Sequence, residues 1–192
     1  MMLGVGLPKE SMDLEARVAL VPEDVAYLVQ NAPIELCVQE GAGVLSGYSD
    51  EAYVRAGARL VSQKEAWGQN VVVKCKEPLE DEYPLLQEGA TLFSYLDLAY
   101  NASLARMLVD KKILSICTET IAGPKGNYPI LAPMSVVAGN LAAHLVQHYL
   151  LGLEHLPGVF GLGVMLGGLA GQRAPKWWWW AGAWWGWKRL RC

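Results

Sequence analysis

The chain has 192 residues, 53% hydrophobic and 18% charged, which suits one full globular domain and part of a second. Its net charge of −3, with "KRLRC" as the only basic cluster, excludes nucleic acid as the main partner, because phosphate binding needs a basic surface. No apolar run reaches the ~18 residues of a membrane span, and "MMLGVGLPKE" lacks the pattern of a secretory signal.

In chain order, "MMLGVGL" reads as a short buried strand and "ESMDLEARVAL" as the loop leaving it. "VPEDVAYLVQN" predicts a helix with Pro22 at its start and apolar residues at helical spacing. "IELCVQE" alternates like a strand and closes at the turn "GAG". "SDEAYVRAGARLV" predicts a short helix with Ser49 as its N-cap, then another strand. "NVVVKCKEP" is a β-branched run ended by Pro78, the signature of a buried parallel strand. "TLFSYLDLAY" predicts a strand, "SLARMLVDKK" a helix and "ILSICTETI" a strand. Strands alternating with helices at this spacing predict an α/β fold with a doubly wound parallel sheet.

From Pro133 the pattern changes. "PMSVVAGNLAAHLVQHYLLG" is the longest helical stretch, with Ser135 near its start as a cap and Gly152 just beyond its end. "LPGVFGLGVMLGGLAGQRAPK" is rich in glycine and has no clear period. The expected organisation is an α/β domain over 1–133, a connecting helix over 134–152, a glycine-rich entry to a second domain over 153–175, and a tail over 176–192. His144 and His148 stand four apart on the helix, but no third ligand is evident, and no metal site is expected. Cys37, Cys75, Cys117 and Cys192 lie far apart without zinc spacing and read as reduced thiols of a cytoplasmic protein.

The tail "KWWWWAGAWWGWKRLRC" holds seven of the eight tryptophans. Tryptophan has one codon, TGG, so the underlying DNA is largely forced. Taken in the frame that starts on the last G of a Lys176 codon AAG, it reads Val-Val-Val-Val-Gly-x-x-x-Val-Gly-x-Glu. With G as the third base of the Gly182 codon, the middle becomes Gly-x-Gly-x-Val-Gly. A β-branched run opening into G-x-G-x-x-G is the strand and phosphate loop of a dinucleotide-binding unit. The tail therefore reads as the wrong frame of a Rossmann motif and the chain as carrying the start of an incomplete Rossmann domain. A Trp-rich interfacial anchor is the competing reading.

The upstream segments "GLPKE", "EARVALVPEDV", "EGAGVLSGYSDEAYVRAGARLV", "VVVKCKEPL", "LFSYLDLA", "CTETI" and "LAPMSVVAGNLA" together resemble the N-terminal part of the alanine dehydrogenase family. That family is related to the alpha subunit of nicotinamide nucleotide transhydrogenase. The resemblance runs over about residues 1–175 in order and spacing, and "KEPL" and "LAPMS" favour the dehydrogenase. It implies a flavodoxin-like N-terminal domain, NAD as cofactor of the intact family, and oxidative deamination of L-alanine to pyruvate and ammonia. It implies an amino-acid or keto-acid partner and a homo-oligomer built in part through the 134–152 helix.

By the same resemblance, Arg17 holds the substrate carboxylate, a task that suits the planar guanidinium fork. Lys76 contacts the same substrate, and Met134 and Ser135 line the nicotinamide side. On their own, Arg17 would be a surface arginine, Lys76 a solvated strand-end lysine and Ser135 a helix cap. One departure is serious. The family reads "YLHLA" where this chain reads "YLDLA", so Asp97 stands at the catalytic histidine position. Histidine as a residue type exchanges protons near neutral pH, whereas aspartate is anionic there and repels a carboxylate substrate.

Lacking an in-frame phosphate loop, the chain is expected to bind no dinucleotide and to be inactive alone. The rival readings are a transhydrogenase alpha-subunit-like fragment and a non-catalytic domain that associates with itself. The nucleotide sequence separates them. Read in the shifted frame from the Lys176 codon, it should stay open for about 150 further codons, the size of one more domain. A stop within a few tens of codons would make the gene a decayed remnant instead.

Overall fold

The computed structural model describes residues 2–151. The readings for 152–192, including the glycine-rich entry and the Trp tail, lie outside the described residues. The chain divides into two compact units, Met1–Thr120 and Ile121–Cys192.

The first unit carries six strands: β1 (Leu3–Leu7), β2 (Ile34–Gln39), β3 (Arg59–Val61), β4 (Val71–Val73), β5 (Thr91–Ser94) and β6 (Leu114–Cys117). All neighbours pair in parallel, in the order β3-β2-β1-β4-β5-β6. The α/β doubly wound sheet is thus the fold of this unit. The full order, 3-2-1-4-5-6, is the doubly wound order of a Rossmann-type sheet, and the 2-1-3-4-5 order of flavodoxin appears in it only if the edge strand β3 is left out.

Helices cover both faces. On one, α1 (Pro22–Asn31) and α2 (Asp50–Arg55) bury Val25 and Tyr53 against Val5, Leu7, Leu36 and Val38. On the other, α3 (Gln63–Trp67) and α4 (Ala102–Asp110) bury Trp67, Leu104 and Leu108 with Val72 and Leu92. Alternation along each strand explains the split, since residues i and i+2 share a face.

Pro22 does open α1, where a missing N–H is harmless. Ser49 takes the N-cap position of α2 without a side-chain capping bond. Asp50 is engaged instead, its carboxylate accepting the Gly41 N–H at 2.9 and 3.1 Å and tying down the "GAG" turn. Ser62 and Asn101 do cap, each accepting the N–H three residues on. The helix α3 was not expected from the sequence; at five residues its period is too short to read.

The described part of the second unit contains α5 (Leu131–Leu151). It starts ahead of Pro133, which sits in the first turn, where helical N–H groups lack internal partners anyway. Ser135 is therefore inside the helix rather than at its cap. Its hydroxyl donates back to the Leu131 carbonyl at 3.3 Å.

Gly6 is where β1 and α3 meet most closely. A Cβ there would overlap the backbone carbonyl of Ala66, whereas one at Gly4 would meet only the mobile end of Gln69. Gly6→Ala should lower unfolding stability by about 1–3 kcal/mol in denaturant melts, and Gly4→Ala by clearly less. Equal losses would mean that the α3 backbone yields as readily as a side chain.

Candidate functional site

In open parallel sheets ligands sit beyond the C-terminal ends of the strands, where the strand order reverses. Here that point lies between β1 and β4. The chain leaving β1 carries Glu10, Glu15 and Arg17, the chain leaving β4 carries Lys74–Glu77, and the chain leaving β5 carries Tyr95–Asp97.

Lys74 is the buried element. Strand alternation sets it on the face of Val72, and its side chain is 1% exposed. Its ammonium donates to both Glu82 oxygens at 3.1 and 2.9 Å and stands 3.8 Å from Glu10. It also lies 4.9 Å from the centre of the Trp67 ring. Glu82 further accepts the Ser11 hydroxyl at 2.6 Å and the Leu79 N–H at 2.9 Å. Glu10 accepts the N–H groups of Cys75 at 2.7 Å and Lys76 at 3.3 Å. Burial raises the Glu10 carboxyl above its usual range, against the pull of Lys74 and the two amides.

Lys76 lies three residues past the end of β4 in a turn fixed at both sides of its backbone. Glu10 takes its N–H, and the buried Ser94 hydroxyl donates to its carbonyl at 2.8 Å. Its ammonium is one-third exposed and 3.8 Å from Glu77. Arg17 is held side-on by Glu15, with Nε to Oε1 at 2.8 Å and Nη2 to Oε2 at 2.6 Å. That pairing lowers the Glu15 carboxyl and raises the guanidinium further. The positive field of Arg17 reaches Cys75 and Tyr95, and that of Lys76 reaches Glu15, so these segments converge. Burial still dominates at Cys75 and pushes its thiol up to about 11.

Asp97 is exposed and adopts φ +44°, a left-handed conformation that aspartate tolerates better than most residues. One oxygen of Glu119 receives both the Leu96 N–H at 3.1 Å and the Asp97 N–H at 2.9 Å. The other, Oε2, is buried and accepts no hydrogen bond among the described residues.

These carboxylates explain why two strands are shorter than "NVVVKCKEP" and "TLFSYLDLAY" suggest. Beyond Val73 and Ser94 the ladder persists only as Lys74 N–H to Phe93 O and Tyr95 N–H to Cys75 O. Glu10 and Glu119 then take the next amides.

Comparison with known proteins decides the family. The chain matches the alanine dehydrogenase/PNT N-terminal domain over residues 6–138. It belongs to that family. It is 41% identical over 174 residues to the alanine dehydrogenase of Lysinibacillus sphaericus, covering 90% of this chain and 45% of that one. It is likewise 41% identical to alanine dehydrogenase 2 of Staphylococcus aureus (strain USA300), covering 87% of this chain and 44% of the relative. A solved L-alanine dehydrogenase aligns with TM-score 0.76 at 38% identity, over 88% of this chain and 45% of that chain. A transhydrogenase from Sinorhizobium meliloti aligns with TM-score 0.67 at 23% identity, which shows the fold alone. The chain spans under half the length of the relatives it matches.

Within this alanine dehydrogenase-family domain, Arg17, Lys76 and Asp97 all lie on the chain beyond the C-terminal ends of β1, β4 and β5. Met134 and Ser135 lie on the first turns of α5, in the second unit. Sequence reasoning missed Glu10, Glu15, Lys74, Glu82 and Glu119. The period of β4 carried one signal, because a lysine two residues after Val72 on the buried face requires carboxylate partners.

The described residues do not fit a dinucleotide. The first crossover, residues 8–21, is a long loop with acidic Glu10 and Glu15, and α1 opens with Glu23 and Asp24. Those charges repel a pyrophosphate at the helix N-terminus that a nucleotide fold would offer it. Among the described residues no three metal-ligating side chains cluster, and no helix is long and apolar enough to cross a membrane.

The Lys74 network sets a stability test. Glu82→Gln leaves the buried ammonium with only the more distant Glu10 carboxylate. Breaking such a pair should cost about 3–5 kcal/mol in denaturant melts. A loss below about 1 kcal/mol, the range of exposed pairs, would mean that water reaches Lys74.

Proposed function

We propose that this chain is the substrate-side half of an alanine dehydrogenase, whose reaction is the NAD-dependent oxidative deamination of L-alanine to pyruvate and ammonia. What supports this reading is that Arg17, Lys76 and residue 97 all lie on the chain beyond the C-terminal ends of β1, β4 and β5, in a domain of this family.

The chain's own residues perform the binding part. The guanidinium of Arg17, oriented by Glu15, and the ammonium of Lys76 draw in the carboxylate common to alanine and pyruvate. Tyr95, whose hydroxyl is raised by burial, stays protonated beside them. Asp97 occupies the position of the proton-exchanging group. As a residue type, a carboxylate is a poorer proton-exchanging group near neutral pH than an imidazole. Met134 and Ser135 are assigned to cofactor contact, and the rest of the nucleotide site to residues beyond those described. Alone, the chain binds no NAD and turns nothing over, and it self-associates through α5. The tail over 176–192 is a shifted-frame version of the phosphate loop that would complete the site. The protein works in the cytoplasm.

The test uses the full-length protein obtained by restoring the frame after Lys176. Steady-state L-alanine oxidation should be slow, and Asp97→His should raise turnover by at least about tenfold, the low end of what a general acid–base group contributes. Arg17→Ala and Lys76→Ala should act mainly on KM for alanine. High and equal turnover with Asp97 and with the Asp97→His variant would overturn the assignment of residue 97.

A further inference from the structure

We infer that Glu10 is the positioning residue of the substrate-carboxylate site, holding Lys76 in place through the backbone amides of Cys75 and Lys76. The inference rests on the reading of Lys76 as a substrate contact.

Glu10 comes from the β1 side of the switch point and reaches across it, 65 residues in sequence from Cys75. Its side chain is 3% exposed, and each oxygen serves one amide, at 2.7 Å for Cys75 and 3.3 Å for Lys76. The turn that presents Lys76 has lost the regular ladder, so its course is set by side chains. Ser94 fixes the Lys76 carbonyl at 2.8 Å, and Glu10 fixes the N–H on the other side. Lys74 faces the same carboxylate at 3.8 Å, but its shorter bonds go to Glu82. The bond to Cys75 is thus the closest contact Glu10 makes. Glu10 therefore serves two partners, the Lys74 ammonium through its charge and the turn through its hydrogen bonds.

Chemistry gives the inference a sign. Glu10→Gln keeps the volume but offers one acceptor instead of two, and turns an NH2 group toward an amide that is itself a donor. The turn then loosens and pyruvate binds more weakly. The purely electrostatic effect runs the other way: removing a negative charge near Arg17 and Lys76 strengthens the binding of an anion. Stability separates the cases further. Burial holds the Glu10 carboxyl above its unfolded value. Its stabilising contribution is therefore present at acid pH and lost as pH rises through the folded value. A neutral glutamine at pH 7 relieves that cost but removes a carboxylate from beside the buried Lys74 ammonium, so the melting temperature should fall by far less than for Glu82→Gln, while binding falls.

The experiment is an NMR titration of the 192-residue chain with sodium pyruvate at pH 7, with thermal melts of each variant. Wild type, Glu10→Gln, Lys76→Ala and the double variant are compared. Glu10→Gln should raise the Kd at least about threefold, less than the full value of a charge-assisted hydrogen bond. It should add nothing in the Lys76→Ala background, because the two act as one unit. Unchanged or tighter binding by Glu10→Gln overturns the inference, as does full additivity of the two substitutions. No pyruvate binding by wild type, or binding indifferent to Lys76→Ala, overturns the reading of Lys76 and the inference with it. Should Glu10→Gln fail to fold, Glu10→Asp retains the charge, withdraws it by one methylene, and must show the same weakened binding.

Discussion

The ammonium of Lys74 sits where β1 and β4 part, almost out of contact with water, and three stretches of chain are organised around it. An ammonium taken out of water costs several kcal/mol unless close carboxylates replace its hydration. Glu82 does so with both oxygens, and in doing so captures Ser11 from the β1 loop and Leu79 from the β4 loop. Trp67 of α3 closes the other side with its ring. One buried charge thus joins the N-terminal loop, the segment after β4 and a helix packed on the same face of the sheet. Apolar contacts would make the sheet without it. They would not set the direction in which its loops leave.

The loops that carry candidate substrate contacts depend on that junction. Glu10 and Glu15 lie on one connection, and each holds a cationic residue's segment: Glu10 the Lys76 backbone, Glu15 the Arg17 guanidinium. The division of labour follows burial. Glu10, deeply buried, is raised and grips amides, while Glu15, less enclosed and paired bidentately, is lowered and grips a cation. Two carboxylates five residues apart therefore respond oppositely to the same loop. Both leave the site rigid before a ligand arrives, and rigidity limits the ordering cost of binding.

The sheet was legible because its signal is local. Val71–Val73 and Ile34–Gln39 show β-branched or alternating runs, and the intervening helices carry caps and an amphipathic period. The strand ends were not legible, since what terminates β4 is a carboxylate 65 residues away in the chain. Ser135 misled for a related reason: a serine after a proline suggests a cap, but the helix had already begun at Leu131. Arg17 and Lys76 could be singled out only through the family resemblance, because nothing local distinguishes them from surface cations. Lys74 could have been found from the two-residue period of β4, although its partners could not.

Asp97 sits at a backbone position that few residue types accept. Its backbone is left-handed and is held there by a single oxygen of Glu119 shared between two consecutive amides. Few residue types accept a positive φ cheaply, and aspartate, asparagine and histidine are the enriched ones apart from glycine. On backbone grounds aspartate and histidine are therefore nearly interchangeable at this position. They differ in what the side chain can give. A carboxylate offers acceptors, whereas an imidazole carries an N–H in either of its protonation states near neutral pH. A change between the two at position 97 would thus fall on side-chain chemistry rather than on the backbone of the sheet.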